Sequence, residues 1–181
     1  MQRSVGETLG NIRLPAVDGT HFQLDDIAGK RFMLSFFRFA ACPFCNLRIH
    51  ELVSRFHEFG DAFTIVAVFD SSPENLRRYA QRHHSPFPIL ADQQNVYYRE
   101  YGIERSIART LKGAATRLPS VLYATFVKGY WPTRFGGKLT TMPADFLVDE
   151  AREIRVAHYG KDEGDHLPFE QVKDFSQETR G

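Results

Sequence analysis

The sequence predicts an α/β fold in which a mixed central sheet is covered by helices, with an N-terminal β-hairpin and a helical insertion before the last β-hairpin. Two observations lead to this prediction. Nearly continuous apolar runs at 31–39 and 63–69 are each followed by a segment of helical periodicity, and this alternation builds a parallel sheet. Two further extended segments within 144–160 are separated by a turn, so they would add an antiparallel edge.

Composition and charge narrow the class of protein. The chain has 181 residues, of which 43% are hydrophobic and 25% are charged, so we expect one domain over residues 1–181 with its own core. The net charge of +1 creates no field that favours nucleic acid. No apolar run is long enough to span a bilayer, and the N-terminal MQRSVGETLG lacks the apolar core of a signal peptide. We therefore expect a cytoplasmic protein with no nucleic-acid partner and no membrane span.

Turn and cap signals place the first elements. Asp18-Gly19 lies between two short alternating runs, which is typical of a β-hairpin. A buried strand at 31–39 follows, and then apolar residues at spacings of three and four form one helix stripe: Cys45, Ile49, Leu52, Phe56 and Phe59. Gly60 suits the C-terminal cap of that helix.

The later elements follow in the same way. After the buried strand at 63–69, Ser72 and Pro73 begin a helix that should run to about 83. The remaining elements are a short extended piece at 87–90, a short helix at 95–102, two strands within 144–160 and a final helix at 168–175. We expect the loop before that helix, which His158 and His166 flank, to be a solvated turn.

A basic segment interrupts this order at about 103–140, where we expect a helical insertion. It carries seven lysine or arginine residues against one acidic residue, Glu104, and an apolar stripe at helical spacing runs from Ile103 to Phe126. Three interpretations stay open. The stripe packs against the core or against a second subunit, as in a homodimer; it docks an acidic redox partner; or it lies on a membrane surface.

The two cysteines of the chain, Cys42 and Cys45, both lie at the turn from the first buried strand into the helix. At this spacing their Cα atoms fall near the roughly 5.5 Å that a disulfide prefers. Cys42 stands at the helix N-terminus, where the dipole favours a thiolate, and Pro43 suits the first helical turn. Cys45 begins the apolar stripe, so it should be the more buried, protonated and resolving thiol. Arg38 is a candidate for electrostatic support of the thiolate.

The cysteine pair has two other interpretations, core packing and zinc binding. Buried cysteines also serve as small core hydrophobes. A zinc site needs four ligands, and the seven-residue spacing of His50 and His57 does not match the usual pattern. Redox chemistry at the pair is the favoured interpretation, and it requires no metal and no organic cofactor.

The segment FMLSFFRFAACPFCNLRIHEL on this topology resembles the thioredoxin superfamily, and within it the peroxiredoxin-like AhpC/TSA branch. The stretches MPADFLVDE and EIRVAHYGKDEGDHLP look like the strand pair, turn and approach to the last helix of such proteins, and the resemblance covers roughly Val5 to Phe175. It implies a thioredoxin-like fold and a cis peptide bond at Met142–Pro143 beside the cysteines. It also implies a substrate groove formed by Pro43, Phe44, Met142 and Pro143.

The peroxiredoxin motif P-x-x-x-[TS]-x-x-C can be placed in two registers. With Cys45 as the peroxidatic residue, Arg38 occupies the proline position and Cys42 the Thr/Ser position. With Cys42 in that role, Ser35 and Phe39 occupy the two positions. The strand MPADFLVD also lacks the arginine that peroxiredoxins carry near the thiolate. The sequence leaves open whether the substrate is a disulfide or a hydroperoxide.

These features together predict a peroxiredoxin-like thiol–disulfide oxidoreductase, with an antioxidant role, that works through a Cys42/Cys45 dithiol–disulfide cycle. Its expected partners are a disulfide or hydroperoxide substrate and a cellular dithiol reductant of the thioredoxin or glutathione system. A hypothesis from another class is a redox-inactive binding module that uses the fold and the basic insertion to hold a partner. Thiol titration before and after mild oxidation separates the two, because a dithiol enzyme loses both thiols together.

Overall fold

A five-stranded mixed sheet forms the centre of the computed structural model, which describes residues 1–80, 84–104, 119, 122–127 and 140–178. In chain order the strands and α-helices are β1 (Arg13–Pro15), β2 (His21–Gln23), β3 (Arg31–Phe37), α1 (Pro43–Ser54), β4 (Phe63–Phe69), α2 (Pro73–Ala80), β5 (Ile89–Ala91), α3 (Val96–Glu100), β6 (Ala144–Val148), β7 (Ile154–Tyr159) and α4 (Phe169–Gln177). The α/β architecture and the mixed sheet predicted from the sequence are confirmed.

The strand order is β5-β4-β3-β6-β7. Strands β3, β4 and β5 run parallel, whereas β6 and β7 continue the sheet with antiparallel pairing. In this register Ser35 lies opposite Asp145, and Phe36 lies opposite Ala144. The end of β3 therefore lies beside the start of β6, and both adjoin the cysteine turn.

The sheet separates two apolar cores because successive side chains of β3 point to opposite faces. Met33 and Phe37 belong to the core covered by α1, α2 and α4. Leu34 and Phe36 belong to the other core, which is covered by α3 and the N-terminal hairpin. Burial on both faces explains why the segment reads as a nearly unbroken apolar run.

The predicted N-terminal hairpin is present as β1 and β2, paired antiparallel. Gly19 adopts a positive φ of 95°, a conformation that glycine takes without strain. Asp18 accepts hydrogen bonds from the backbone N–H of Thr20 at 2.9 Å and from its hydroxyl at 2.7 Å. The turn chemistry read from the sequence thus accounts for the hairpin.

The helix after the cysteines is shorter than the apolar stripe predicted. Helix α1 ends at Ser54, and a separate 3₁₀ turn covers Phe56–Phe59. Arg55 between them has φ −109° and ψ 9°, which lies outside the helical range. The tighter turn still buries Phe59 and places the Phe56 ring 5.5 Å from that of Phe87, so core packing is retained without a continuous helix.

The predicted basic insertion lies largely outside the described residues, since 105–118, 120–121 and 128–139 are among the positions not described. The last residues of the second predicted helix, at 81–83, lie outside them as well. Within 122–127, a π-helical turn at Tyr123–Val127 contacts α1. None of the helices in the described ranges has the length and apolar character needed to cross a membrane.

Candidate active site

The turn that joins β3 to α1 holds both cysteines. Cys42 is the N-cap residue of α1, with extended backbone angles (φ −66°, ψ 121°), and Pro43 takes the first helical position as predicted. The Cys42 N–H donates to the Phe39 carbonyl at 3.0 Å. The Asn46 side-chain amide donates to the carbonyls of Ala40 and Cys42 at 2.8 and 2.9 Å, so the turn is fixed by neutral hydrogen bonds from the helix itself.

Both cysteines are free thiols and both are fully buried, with 0% of each residue exposed. The expectation that Cys42 is the more exposed of the two is therefore wrong. The residues before the helix account for this, since Phe39, Ala40 and Ala41 are themselves buried and belong to the same apolar cluster as both cysteines. A helix N-terminus is a local property of the sequence, whereas cover by the preceding loop depends on the tertiary structure.

The two thiols differ in acidity in the predicted direction. Burial alone would raise the pKa of Cys42, but a hydrogen bond from the Cys45 thiol, the charge of Arg38 and the backbone N–H groups of Phe44 and Cys45 lower it to about 6. For Cys45, burial raises the pKa well above its ordinary value, and the hydrogen bond to the Cys42 sulfur and its negative charge raise it further. Near neutral pH the pair is thus a Cys42 thiolate beside a Cys45 thiol.

Arg38 provides the positive charge next to this thiolate. Its Nη1 donates to the Cys42 Sγ at 3.6 Å, and its Nε donates to the Thr141 carbonyl at 3.0 Å. The residue is only 4% exposed, and its guanidinium carbon lies 5.4 Å from the centre of the Phe39 ring. Arg48 is directed elsewhere, since it donates to the Leu167 carbonyl at 2.7 Å and pairs with Glu51.

The polar residues behind Arg38 were not predicted from the sequence. Asp70 accepts hydrogen bonds from the Thr141 hydroxyl at 3.0 Å and from the Asn95 amide at 2.7 Å, and its own N–H donates to the Arg38 carbonyl at 3.1 Å. All four residues are buried. We call Arg38, Asp70, Asn95 and Thr141 the Arg38 cluster. A carboxylate directly after a buried parallel strand was a usable signal for Asp70, but no local pattern singled out Thr141.

The expected cis bond at Met142–Pro143 is wrong, because this peptide bond is trans. The Met142 N–H donates to the Glu104 carbonyl at 3.0 Å, and the Pro143 carbonyl accepts from the Gly160 N–H at 2.9 Å. A Cβ on Gly160 would lie 2.7 Å from Pro143 Cγ, so the two segments approach closely because a glycine stands there. The Met142 N–H and the Pro143 carbonyl are thus already paired within the protein. The groove role of Met142 and Pro143 stays a prediction, as does that of the half-buried Pro43 and Phe44.

A second buried polar cluster links β3, β6 and the loop before α4. We call Ser35, Asp145 and His166 the Asp145 cluster. Asp145 accepts from the Ser35 hydroxyl at 2.5 Å and from the Leu167 N–H at 2.7 Å, and both its oxygens lie 3.1 Å from His166 Nδ1. The His166 side chain is only 5% exposed and Glu163 is 1% exposed, so the interpretation of this loop as a solvated turn is wrong at both residues.

The carboxyl of Asp145 is a strong acid in this cluster. Burial would raise its pKa, but the charge and hydrogen bond of His166, the charge of Arg48 and the Ser35 hydroxyl hold it well below the ordinary value. Within the described ranges, no group of three or more His, Cys, Asp or Glu side chains is arranged to hold a metal ion.

The fold and the cysteine pair define the class of protein: a thioredoxin-like protein with a C-x-x-C motif at the start of α1. The chain belongs to the AhpC/TSA family, whose model matches residues 5–157. It is 25% identical over 99 residues to peroxiredoxin Bcp of Escherichia coli, a match that covers 54% of this chain and 64% of that protein. The chain thus spans less than two thirds of the length of that curated relative.

Solved structures agree on the fold. Peroxidoxin BcpB from Mycobacterium tuberculosis superposes with a TM-score of 0.70 at 16% identity, and the match covers 98% of each chain. A putative thiol:disulfide interchange protein DsbE from Chlorobium tepidum superposes with a TM-score of 0.60 at 17% identity, covering 96% of this chain and 97% of that one. At these identities the similarity establishes a shared thioredoxin-like fold.

Proposed function

We propose that this chain is a thiol–disulfide oxidoreductase of the peroxiredoxin-like type in which Cys42 is the nucleophile and Cys45 the resolving thiol. One observation carries the proposal: the Cys42 sulfur lies 3.6 Å from a buried guanidinium nitrogen of Arg38, next to a second thiol. An arginine cannot lose its charge in a protein, so it favours the thiolate at any physiological pH. The thiolate is the nucleophilic form of cysteine.

The reaction with a disulfide proceeds by two exchanges. The Cys42 thiolate attacks one sulfur of the substrate, a Cys42–substrate disulfide forms, and the other substrate sulfur leaves as a thiolate that takes up a proton. The Cys45 thiol then gives up its proton and attacks the Cys42 sulfur. The products are the Cys42–Cys45 disulfide and the second substrate thiol. The substrate has gained two electrons and the protein has lost two.

A hydroperoxide is a second candidate substrate for the same thiolate. Cys42 would attack the terminal oxygen, so that the O–O bond breaks, an alcohol leaves with a proton and Cys42 becomes a sulfenic acid. Cys45 would condense with it to give the same disulfide and water. Membership of the AhpC/TSA family supports this substrate class. The choice of Cys42 follows from its acidity, since the raised pKa of Cys45 leaves that residue protonated.

Substrate access requires a local movement, because neither sulfur is exposed in the reduced protein. The half-buried Pro43 and Phe44 form the outer side of the turn, so we place the substrate groove there. Return to the dithiol requires a reductant, and we propose a dithiol of the thioredoxin or glutathione system in the cytoplasm. A homodimer built through the basic segment is part of the same proposal.

Two recycling assays test the function and separate the substrates. The first supplies thioredoxin, its reductase and NADPH, and follows NADPH consumption with either an aromatic disulfide or tert-butyl hydroperoxide. The second supplies glutathione and its reductase. In both systems, turnover is the rate above a matched reaction without this protein, because the reductant itself also reduces aromatic disulfides. We expect turnover of the disulfide in at least one system. Turnover of neither substrate, with both thiols confirmed as reduced, would remove the proposal.

A redox-inactive binding module is not favoured by the family or by the acidity of Cys42. Thiol titration decides between the two classes. Mild oxidation should remove both thiols together and leave a monomeric chain on a denaturing gel, as an intramolecular disulfide requires. Retention of both thiols under these conditions would favour the binding module.

A further inference from the structure

The Arg38 cluster gives Asp70 and Thr141 a role that the dithiol motif alone does not indicate. We propose that Asp70 and Thr141 are positioning residues that hold the Arg38 guanidinium against the Cys42 sulfur, with Asn95 fixing Asp70. The proposal rests on the function proposed above and names the residues that prepare its nucleophile. Their hydrogen bonds lead to Arg38 through the Thr141 carbonyl, so we infer that each acts through Arg38.

Two nitrogens of the Arg38 guanidinium have partners that set its orientation. Arg38 Nε donates to the Thr141 carbonyl at 3.0 Å, while Nη1 of the same planar group donates to the Cys42 sulfur at 3.6 Å. Because the guanidinium is rigid and planar, a fixed partner on Nε sets the direction in which Nη1 points. The position of the Thr141 carbonyl therefore sets the position of the charge beside Cys42.

A hydrogen bond to Asp70 holds Thr141 in place. Its hydroxyl donates to Asp70 Oδ2 at 3.0 Å, and Asp70 Oδ1 accepts from the Asn95 amide at 2.7 Å. The Asp70 N–H also donates to the Arg38 carbonyl at 3.1 Å, so one residue holds both the backbone of Arg38 and the segment that receives its side chain. These residues come from the ends of β3 and β4, from the start of α3 and from the approach to β6.

Burial strengthens the interactions within the Arg38 cluster. The exposed fractions of the four residues are 4% for Arg38, 3% for Asp70, 3% for Asn95 and 1% for Thr141. A buried charge is stable only when it is paired and hydrogen-bonded, and interactions between buried charges are screened little by water. If Thr141 lost its hydrogen bond to Asp70, the Thr141 carbonyl that orients the guanidinium would no longer be held in place, and Arg38 would turn away from the sulfur. The low pKa of Cys42 would then rise.

The test measures the pKa of Cys42 directly rather than turnover. Iodoacetamide alkylation of the reduced protein is followed from pH 4 to 9, with the labelled cysteine identified by mass spectrometry. Thr141→Val removes the hydroxyl and keeps the shape of the side chain. We expect the Cys42 pKa to rise by about one unit, which slows alkylation about tenfold at pH 5. Thr141→Ser should restore the wild-type profile, because it returns the hydroxyl.

Thr64→Val is the matched control, since Thr64 is also a buried threonine and lies on β4. It should leave the profile unchanged. Asn95→Gly is the second variant. It removes the amide donor at a position with φ 55°, which glycine adopts without strain, and should shift the pKa in the same direction by a smaller amount. If Thr141→Val does not fold, Asn95→Gly alone tests the positioning role.

Two results would overturn the inference. The first is a wild-type Cys42 alkylation profile in folded Thr141→Val or, if that variant does not fold, in Asn95→Gly. The second is an equal shift of the Cys42 pKa in the control Thr64→Val. Failure of the proposed function looks different. In that case neither substrate is turned over by the wild-type protein, while the alkylation profile still responds to Thr141. Turnover by the wild-type protein, combined with an alkylation profile that does not respond to Thr141→Val, would support the proposed enzyme and contradict the positioning role of Asp70 and Thr141.

Discussion

The Arg38 cluster and the Asp145 cluster are both buried and both charged, but their central charges face different partners. Asp145 is enclosed by donors, since the Ser35 hydroxyl, the Leu167 N–H and the His166 ring all contact its carboxylate. Arg38 instead directs one nitrogen at a carbonyl and another at a sulfur. The Asp145 cluster joins two strands to the loop before α4, whereas the Arg38 cluster lies against the Cys42 sulfur.

This difference shows how a buried charge can be assigned a role. A charge satisfied on all sides costs stability when a partner is removed, and little else changes. A charge aimed at an ionisable sulfur changes the acidity of that sulfur when it is removed. The two clusters should therefore respond to substitution in different measurements, the first in stability and the second in reactivity.

The largest effect is expected at the cysteines. Cys42→Ser should abolish disulfide reduction, because no thiolate remains to attack the substrate. Cys45→Ser should instead accumulate covalent adducts with disulfide substrates, since the Cys42 mixed disulfide cannot be resolved. Non-reducing gels after incubation with a small protein disulfide provide the measurement. Equal adduct formation by both variants would contradict the assignment of roles.

The next effect tests the Asp145 cluster. Asp145→Asn should lower the free energy of unfolding by about 3 kcal/mol, because it breaks a buried pair and leaves the His166 ring without its carboxylate. Urea unfolding followed by circular dichroism measures the loss. Asp174→Asn, at an exposed position of α4, is the matched control and should change stability by less than about 0.5 kcal/mol. A Cys42 alkylation profile altered by Asp145→Asn in the folded state would show that the two clusters are not separate.

A third prediction tests the electrostatic role of Arg38. Because Cys42 has a pKa of about 6, its thiolate predominates above that pH and its reactivity falls as the pH drops through it. Arg38→Gln should raise this midpoint by about 1–3 units, since the nearby positive charge is lost. The pH dependence of alkylation gives the midpoint. Arg48→Gln removes the same charge from a side chain directed at Leu167 and Glu51, and it should leave the midpoint in place.

The smallest effect is expected from Asn46, whose amide fixes the cysteine turn through the carbonyls of Ala40 and Cys42. Asn46→Ala should cost about 1–2 kcal/mol of stability, because it leaves buried carbonyls with fewer donors. Chemical unfolding gives this value. A loss as large as that of Asp145→Asn would contradict this order, because the cysteine turn would then contribute as much to stability as the Asp145 cluster.

The sequence determined the parts of this protein that depend on local pattern. Apolar runs predicted β3 and β4, and Asp18-Gly19 predicted the hairpin. The spacing of Cys42 and Cys45 indicated the chemistry, and the position of Cys42 at the helix N-terminus indicated the more acidic thiol. Such signals are readable because alternation, helical spacing and cap position are properties of neighbouring residues. They also supported the resemblance to the AhpC/TSA family, which is confirmed.

Only the tertiary structure decided which distant groups meet. Cys42 is buried together with the residues that precede it, and the Met142–Pro143 bond is trans, with the Met142 N–H and the Pro143 carbonyl already paired. Asp70 and Thr141 are 71 positions apart and share a hydrogen bond. Burial and pairing of this kind depend on how the ends of separate strands converge. No local pattern encodes that convergence, because the energy of a buried charge depends on all the groups around it.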